Sequence, residues 1–488
     1  MRRFAKSYNI AFDCLDRHAS EPRASSKTAL IVLDDNDILH RKSFAELSFE
    51  TSAVARWLRS RGLRRGRRVV IQLPNGFEFI QAFLGAMKAG LIPVPVSHLL
   101  TPREVSLIMA DSGAGLVLKN ARDVARAAQR GSQDMKVAAM LSGDPAFWLY
   151  TSGTEGRPKG VIHAHHSIPA HDARSHVWMG LRREDVVFNT SAMNWSYSLT
   201  AGLLDVWRLG ATAVVAQGDL KPERFLRILR DLEVTVFMSV PGIYRKMAEY
   251  GERASRGLRR SFHSVRVALS AGEKLSPEIR KNFRKLTGLE IREGLGMTEH
   301  SVYLVQPCRG RVVDGSCGRP VPGHRIAILR DDLSRAGPGE VGILASHRSC
   351  PGLMIGYYKR SKDQGLAFRG EWFLSGDSAY RDAKGNFFYV GRRDDVITAG
   401  GYRISPMEVE EVLNRHPRVH ESAVVGREIS PGKTVVEAYV VGKKESIAKA
   451  ILRFAEERLA RYKVPRTIVF VDSLPKTTNG KIKRKDLI

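Results

Sequence analysis

"RRVVIQLPNGFEFIQAFLGAMKAGLIPVPVS", residues 67–97, is the stretch that decides the fold class. Its first part, "RRVVIQLP", contains the β-branched run of a strand, and "GFEFIQAFLGAMKAG" predicts a helix that ends at Gly90. "IPVPVS" then predicts a second strand. The same alternation of short apolar runs and helical segments extends from about residue 28 to residue 390. The sequence therefore predicts an α/β layered fold with a largely parallel sheet.

Length and composition limit the class of protein. At 488 residues the chain is too long for one ordinary core, so two or more domains are expected. Its 43% apolar and 26% charged residues are typical of a soluble globular protein, and no apolar run reaches membrane-spanning length. The four cysteines lack the paired spacing of a metal site and suit a reducing compartment. We therefore expect a cytoplasmic protein without a transmembrane segment.

The strongly basic composition has to be assigned to a partner or to the surface. A net charge of +27 suits nucleic acid, an anionic membrane or a polyanionic small ligand. The basic residues are scattered, as in "RSRGLRRGRR", and are not interleaved with aromatic residues in a repeating pattern. We therefore expect a basic solvated surface and no nucleic-acid partner.

The composition and the pattern of the sequence change near residue 391. "GRRDDVITAGGYRISPMEVEEVL" gives a charged turn, a pair of glycines and an acidic helix. One or two strands, a further helix and a basic tail follow, and about 95 residues are enough for a separate domain. We predict an N-terminal domain over residues 1–391, a boundary at residues 392–395 and a C-terminal domain over residues 396–488.

The loop "YTSGTEGRPKG", Tyr150–Gly160, combines glycines, hydroxyl groups and two cations, which suits a phosphate chain. It is not a Walker A motif, because Lys159 is followed by Gly160 and not by the serine or threonine that would hold magnesium. Pro158 opposes a direct run into a helix. We expect an exposed, mobile phosphate clamp, although the loop taken alone is equally compatible with a flexible surface linker.

Four further motifs follow this loop in order: "EGLGMTEHS", "WFLSGD", "GRRDD" with "GGYRISPMEVEE", and "PKTTNGKIKR". Together they resemble the ordered motifs of the adenylate-forming, AMP-binding superfamily of acyl- and aryl-CoA synthetases, peptide-synthetase adenylation domains and luciferases. "LLTPREV", "LSAGEKLSP" and "ITAGGYRISPMEVE" are most similar to the benzoate- and medium-chain acyl-CoA ligase branch. The resemblance implies a large multi-subdomain N-terminal adenylating domain with layered sheets, plus a small mobile α+β C-terminal domain.

The resemblance also implies the chemistry. A carboxylate attacks the α-phosphorus of ATP, pyrophosphate leaves, and the acyl adenylate passes to the thiol of coenzyme A. Catalysis of such a step is mainly positioning and cationic stabilisation. Glu299 would hold Mg²⁺, Thr298 would donate to the α-phosphate, and Lys481 would lie over the carboxylate and the α-phosphate. The implied ligands of the β- and γ-phosphates are Thr151, Ser152, Gly153, Thr154 and Lys159.

By the same resemblance, Asp377 would bind the ribose hydroxyls with help from Arg392. The implied adenine contacts are Gly272, Glu273, Glu293, Gly294 and Leu295. Leu295 stands where the family usually has an aromatic residue, so the adenine would lose a stacking face.

The two half-reactions need two arrangements of one site, and the resemblance places the hinge at Asp394. The turn of the small domain would remove Lys481 and bring in a thiol channel lined by Gly400, Gly401 and Tyr402. A pair of glycines at a β-turn is the alternative explanation of this segment. Three basic residues that follow Lys481, namely Lys483, Arg484 and Lys485, are expected to be ordinary surface charge.

The acid pocket of the family corresponds to "SAMNWSYSLTAGLLDVWRLGA". Trp195 and Tyr197 would form its wall, although Trp195 is equally compatible with the core. No aspartate occurs at residues 194–198, which argues against an amino-acid substrate. Acetate-activating relatives have a blocking tryptophan where this chain has Gly296, so an aryl or medium-length acyl group is expected. Ala271 and Met297 complete the implied pocket.

"HAHHS" raises a separate hypothesis, because His163, His165 and His166 could form a metal cluster. Since the family has a similar histidine-bearing strand without a metal, we expect none here.

Three functions remain in competition. The leading one is an ATP-dependent carboxylic acid:CoA ligase, and the second is a loader of an acyl carrier protein, whose acidic surface would suit the +27 charge. The third, a catalytically lapsed binding protein or a nucleic-acid binder, would show loss of Lys481, Glu299 or Asp377, and all three are present. Neither the acid nor the choice between monomer and homodimer follows from the sequence.

Overall fold

The computed structural model describes residues 5–131, 135–151, 158–218, 221–254, 258–395, 397–399, 402–430, 433–442, 447–459, 461–476 and 482–487. The chain divides into two compact units. The larger contains Met1–Arg325 and His347–Glu371, and the smaller contains Ile326–Ser346 and Trp372–Ile488. The mixed α/β class with layered sheets is confirmed. The domain boundary at residues 392–395 remains a prediction, because the smaller unit also takes in segments that precede it.

The larger unit is built on a nine-stranded sheet. Its strands, in spatial order, are Arg319–Pro320, Ser301–Val305, Ile291–Met297, Val267–Ala271, Val236–Ser239, Val186–Asn189, Thr212–Ala216, Thr28–Leu33 and Leu39–Ser43. Neighbours from Ile291–Met297 across to Thr28–Leu33 pair in parallel, and the strands beyond them at both edges pair antiparallel. The predicted, largely parallel sheet is therefore confirmed.

Alternate side chains of this sheet enter different apolar clusters. Val187 and Val236 pack in one cluster, whereas their neighbours Phe188 and Phe237 pack in another, and all four are fully buried. Because successive residues of a strand point to opposite faces, both faces of the sheet are covered. This explains why its strands appear in the sequence as continuous apolar runs.

The segment at residues 67–97 folds as predicted. The strands Arg68–Ile71 and Ile92–Pro95 pair in parallel, and the helix Phe77–Lys88 connects them. Gly90 has a φ of 73°, a left-handed conformation that glycine adopts readily just beyond a helix. Leu116–Leu118 completes this second sheet on the other side of Arg68–Ile71.

A third sheet of the larger unit is antiparallel and contains Gly356–Tyr357, Lys159–Ala164 and Pro145–Thr151. The short strand Phe368–Arg369 also lies in this unit. The α-helices are Arg17–Ala19, Phe44–Ser60, Phe77–Lys88, Pro102–Ser112, Ala121–Gln129, Asp172–Val177, Asp205–Arg208, Pro222–Asp231, Pro241–Ala254, Leu258–Ser261, Pro277–Thr287 and Ser361–Ala367. Wider π-helical turns occur at Phe12–Asp16 and Tyr197–Leu204, and 3₁₀ turns at His165–Ser167 and Pro169–His171.

Two helices of the larger unit begin with a capping box. The Ser43 hydroxyl accepts the backbone N–H of Glu46, whose carboxylate returns to the backbone N–H of Ser43. Thr101 and Glu104 form the same reciprocal pair. Each pair satisfies backbone donors that the first helical turn would otherwise leave unbonded. Across the described residues, none of the helices combines the length and apolar character needed to cross a membrane.

The smaller unit is of the predicted α+β kind. Its strands are Ile326–Leu329, Gly342–His347, Trp372–Arg381, Phe387–Arg392, Ile397–Ala399, Tyr402–Ile404, Glu421–Ser430, Lys433–Val441 and Thr467–Val471. Its α-helices are Pro406–Leu413 and Ala448–Glu456, and its 3₁₀ turns are Arg393–Asp395, Arg461–Lys463 and Arg484–Leu487.

One element of the smaller unit corrects the sequence analysis. The segment expected to be only a basic tail contains the strand Thr467–Val471, which pairs in parallel with Lys433–Val441. The β-branched run "TIVFV" was the available signal, but basic residues on both sides concealed it.

Candidate functional site

The phosphate loop is held at both of its ends. Thr151 closes the strand Pro145–Thr151 and lies opposite Lys159 in the antiparallel register. The two ends of the loop are therefore adjacent. A strand follows Pro158, as expected for a loop that does not enter a helix. Ser152, Gly153 and Thr154 lie outside the described residues, and their phosphate contacts remain predictions.

Lys159 already has a carboxylate partner. Its ammonium forms an ion pair with Asp363 and lies 5.9 Å from the ring centre of Tyr357. The lysine side chain is 21% exposed, so its charge is partly withdrawn from solvent. A phosphate that binds Lys159 must therefore compete with Asp363.

This competition gives a testable consequence. We expect Asp363→Asn to lower the KM for ATP by roughly 2–5-fold, because a partly exposed ion pair is worth about 0.2–1 kcal/mol. The kcat for acid-dependent pyrophosphate exchange should change little. Asp123→Asn, at an exposed acid of the same unit, is the matched control. A higher KM for ATP in Asp363→Asn would mean that the carboxylate orients the lysine instead of competing for it.

The predicted metal ligand lies at the tip of a hairpin. The strands Ile291–Met297 and Ser301–Val305 pair antiparallel, and the three residues Thr298, Glu299 and His300 form the connection. Such a short connection fixes the backbone at its tip.

Glu299 is held by two further contacts. Its backbone carbonyl accepts the N–H of Met354 at 2.8 Å, and its carboxylate accepts the Tyr357 hydroxyl at 2.8 Å. The residue is only 8% exposed. A single buried carboxylate suits Mg²⁺, which usually takes one or two carboxylates together with substrate phosphates and waters. Within the described part of the chain, three or more acids, histidines or cysteines nowhere gather into a metal site.

Tyr357 is a residue that the sequence analysis missed. Its hydroxyl contacts Glu299 and its ring faces Lys159, so it lies against two of the predicted catalytic residues. The strand Gly356–Tyr357 pairs with Lys159–Ala164, which places it there. Nothing around "IGYY" distinguishes this tyrosine in the sequence, because its role arises only from strand pairing.

The predicted adenine contacts lie in the strand Ile291–Met297 or directly after the adjacent strand Val267–Ala271. Ala271 ends the strand Val267–Ala271 and lies opposite Gly294 in the parallel register, with Leu295 next along the chain. Gly272, at φ 96°, and Glu273 follow on the surface. The structure therefore brings these residues to one sheet edge, where the carboxyl ends of parallel strands usually bind ligands.

Glu293 differs from its neighbours. Its carboxylate accepts Arg280 at 3.1 Å and the backbone N–H of Leu275 at 3.4 Å, and the residue is 4% exposed. Burial raises the pKa of Glu293 to about 7, while Arg280 and the Leu275 N–H act in the opposite direction. Because this carboxylate is engaged inside the protein, a contact between Glu293 and adenine remains a prediction.

The predicted acid-pocket residues are buried or half-buried. Tyr197 begins the π-helical segment Tyr197–Leu204, its ring lies 6.0 Å from that of Trp178, and its hydroxyl is 3.5 Å from the Leu269 carbonyl. Trp195 and Met297 are half-buried. The structure thus places Tyr197 largely in the core, and its contact with a substrate remains a prediction.

Gly296 requires a different explanation from the expected one. A Cβ at this position would lie 2.3 Å from the carbonyl oxygen of Ser301. The missing side chain therefore permits close approach of two strands, next to a β-bulge at Leu295, rather than opening space for the acid. The size of the acid does not follow from this glycine.

The predicted ribose ligands meet in the smaller unit. Asp377 and Arg392 are opposite one another in an antiparallel pair, and their side chains are 3.2 Å apart. The Tyr389 hydroxyl lies 3.5 Å from the same Asp377 oxygen, and Asp377 is 7% exposed. The structure therefore brings the two predicted ribose residues together, and their contact with the ribose remains a prediction.

The hinge and channel are only partly described. The backbone of Asp394 lies in the 3₁₀ turn Arg393–Asp395, and Tyr402 begins the strand Tyr402–Ile404. Gly400, Gly401 and Lys481 lie outside the described residues. Their roles remain predictions.

Arg484 corrects an expectation. It was expected to be surface charge, but it is bonded to both carboxylate oxygens of Glu410, at 2.8 and 2.9 Å, and lies 3.5 Å from Asp395. Burial raises the pKa of Glu410, and Arg484 opposes this by stabilising the ionised form. The sequence could not show this, because Glu410 is buried on a distant helix. Lys483 and Lys485 are exposed, as predicted.

The three histidines of "HAHHS" are integrated into the fold. His163 and His165 are each 2% exposed, and the Nδ1 atom of His165 accepts the Ile10 N–H at 3.3 Å. The His166 ring bonds the Ser142 carbonyl at 2.9 Å. Burial lowers the pKa of His163 to about 3 and that of His165 to about 4.

These pKa values predict acid sensitivity. A histidine whose folded pKa lies below the unfolded value of about 6.5 contributes full stability above that pH and loses it as pH falls towards the folded pKa. At pH 5, His165 should therefore cost about 2 kcal/mol of unfolding free energy. Denaturant unfolding of His165→Gln should show a correspondingly smaller difference between pH 8 and pH 5. An unchanged difference would contradict the assignment.

Comparison with known proteins gives matches along most of the chain. A family model described as AMP-binding enzyme matches residues 16–358, and one described as AMP-binding enzyme C-terminal domain matches residues 408–481. An uncharacterized acyl–CoA ligase, YtcI, of Bacillus subtilis is 33% identical, with 95% of this chain and 93% of that protein covered. A benzoate–CoA ligase of Thauera aromatica is 30% identical over 98% and 95%.

A solved structure supports the same relation. It is the anthranilate CoA ligase AuaEII in complex with anthranoyl-AMP, at 27% identity and a TM-score of 0.89. The match covers 99% of this chain and 97% of that one.

Proposed function

Because the chain belongs to the AMP-binding enzyme family and is an AMP-forming acid–CoA ligase, we propose that it activates an aryl or medium-chain carboxylic acid with ATP and then forms its CoA thioester. The observation that carries this proposal is the contact of Tyr357 with both Lys159 and Glu299. That contact joins a phosphate-loop cation to a magnesium-type carboxylate in one unit.

The proposed reaction has two steps. An oxygen of the acid attacks the α-phosphorus of ATP, the bond to pyrophosphate breaks, and the acyl adenylate forms. The CoA sulfur, having lost its proton, then attacks the acyl carbon, and AMP leaves. Both steps develop negative charge, so cations and fixed hydrogen-bond donors lower their barriers.

The residues of the chain have distinct parts in the first step. Lys159 binds the β- and γ-phosphates after leaving Asp363, and the Thr298 hydroxyl donates to the α-phosphate. Glu299, which Tyr357 and Met354 already hold, supplies a carboxylate oxygen for Mg²⁺. When bound, Mg²⁺ neutralises phosphate charge. A ligand fixed before binding needs little reorganisation, which favours catalysis.

Separate groups of residues are proposed for the ribose and for the adenine. Asp377, supported by Arg392, accepts the ribose hydroxyls through its carboxylate. Gly272 and Glu273, with Gly294 and Leu295, provide the adenine surface. Lys481 completes adenylation, and Gly400, Gly401 and Tyr402 admit the thiol.

The identity of the acid rests on two supports. Residues 194–198 contain no carboxylate to bind a substrate ammonium group, which disfavours an amino acid. Two of the three relatives named above are ligases of benzoate and anthranilate, both aromatic acids. An aryl acid is accordingly the first candidate and a medium-chain acid the second.

A pyrophosphate-release screen tests the proposal. Benzoate, anthranilate, hexanoate and acetate are compared with MgATP, first with CoA and then with an acyl carrier protein as the acceptor. We expect benzoate or hexanoate to exceed acetate by at least about tenfold, and CoA to be the acceptor. Transfer to the carrier protein alone would establish the loader instead, and release that is independent of any acid would refute acid activation.

A further inference from the structure

We propose that Ser301 is the positioning residue that fixes the turn carrying Thr298 and Glu299. Its hydroxyl is hydrogen-bonded to Arg174 and Thr200. The inference rests on the proposed function, because it concerns residues assigned there to the α-phosphate and to Mg²⁺. It adds three residues to which the sequence motifs assigned no role. All of them lie in the larger unit.

The backbone of Ser301 first shows that it is under constraint. Ser301 has a φ of 56°, in the left-handed region that favours glycine. It closes the hairpin opposite Met297, and a residue after a tight three-residue turn commonly adopts this conformation. Serine is unfavourable there unless its side chain gains something in return.

Hydrogen bonds of the Ser301 side chain offset the cost of this backbone conformation, and they form a continuous chain. Arg174 donates to the Ser301 oxygen at 2.5 Å, and the Ser301 and Thr200 oxygens are 2.9 Å apart. The Thr200 hydroxyl donates to the Ser196 carbonyl at 2.7 Å. Since that proton is committed, the Ser301 hydroxyl donates to Thr200. Each hydroxyl therefore both donates and accepts, and such chains strengthen one another.

The anchor of this chain is rigid. Arg174 is fully buried and forms an ion pair with Asp205, which is 1% exposed. His171 also contacts Asp205, at 3.3 Å. A buried guanidinium that is bonded on both sides cannot move without leaving a charge unpaired. Ser301 is therefore attached to a fixed point in the core.

The hydrogen-bond chain connects the turn that carries Thr298 and Glu299 to the segment of the predicted acid pocket. Thr200 lies in the π-helical segment Tyr197–Leu204, and Ser196 immediately precedes it. Movement of the turn relative to this segment would break the Ser301–Thr200 bond. The arrangement thus sets the position of Thr298 and Glu299 with respect to the place where the acid is proposed to bind. Displacement by about 1 Å can lower a rate by up to about 100-fold.

Thr200→Val, Thr200→Ser and Ser301→Gly test the inference in the full-length enzyme. Acid-dependent pyrophosphate exchange is measured with MgATP and the fastest acid of the screen above. We expect Thr200→Val and Ser301→Gly to lower kcat about tenfold, with the KM for ATP changed less than about twofold. Thr200→Ser keeps the hydroxyl and should stay within about twofold of the unaltered enzyme.

Two comparisons separate positioning from loss of folding. Thr51→Val removes an equally buried hydroxyl that bonds only its own helix, and it should retain full activity. Ser301→Gly suits the left-handed backbone, so its melting temperature should stay near that of the unaltered enzyme. Equal exchange rates in Thr200→Val, Ser301→Gly and the unaltered enzyme would overturn this inference and leave the proposed function standing. Absence of exchange from the unaltered enzyme with every acid would overturn the proposed function and this inference with it.

Discussion

Lys481→Ala is expected to abolish acid-dependent ATP–pyrophosphate exchange while sparing thioester formation from a supplied acyl adenylate. The ammonium group is proposed to orient the attacking carboxylate and to neutralise charge on the α-phosphorus. Removal of one such charge-stabilising group costs about 3 kcal/mol or more, which corresponds to at least about 100-fold in rate. The second half-reaction has no such charge at phosphorus and should change less than about twofold.

Both half-reactions must be measured on the same preparation of the variant. Lys485→Ala, at an exposed lysine four residues further along the chain, is the matched control and should behave as the unaltered enzyme. If Lys481→Ala slowed the two half-reactions equally, the lysine would not be specific to adenylation. The two-arrangement scheme around Asp394 would then lose its main support.

Glu299→Gln is expected to reduce adenylation by about 100-fold and to raise the Mg²⁺ concentration needed for half-maximal rate. The change replaces a charged oxygen ligand by a neutral amide of the same shape, so folding should be little affected. Tyr357→Phe removes the hydrogen bond from the Tyr357 hydroxyl to this carboxylate, and a smaller loss of about 3–10-fold is expected. Initial rates of pyrophosphate release over a Mg²⁺ titration provide the measurement.

Glu278→Gln is a suitable control, because Glu278 is an exposed acid on a helix of the same unit. Its Mg²⁺ titration should overlay that of the unaltered enzyme. An unchanged Mg²⁺ requirement in Glu299→Gln would remove Glu299 from the metal site, whatever happened to the overall rate.

The fold was largely predictable because its signals are local. The stretch at residues 67–97 contains its strand, helix and strand in consecutive residues, and each forms as predicted. Thr467–Val471 was missed because a five-residue run among basic residues becomes a strand only by pairing with Lys433–Val441. That pairing joins segments about thirty residues apart, and no local pattern reports it.

The site was predictable to the extent that motifs mark it. The motif "GMTE" located Glu299, and "SGD" located Asp377, which the structure pairs with Arg392. Gly296 was interpreted as open space, whereas it faces the backbone of Ser301. A glycine in a sequence shows that a side chain is absent, but it does not show what occupies the volume.

The sequence by itself determined the layered α/β class and, through the family resemblance of its ordered motifs, the acid-activating chemistry, because periodicity and motif order are both read along the chain. Tertiary structure alone decided that Tyr357 contacts Glu299, that Arg484 bonds Glu410, and that the core holds Ser301. In each case two side chains distant in the chain must satisfy each other's charge or hydrogen bonds once water is excluded. Which side chains become partners depends on where the folded backbone places them, so the partners cannot be recognised from the sequence alone.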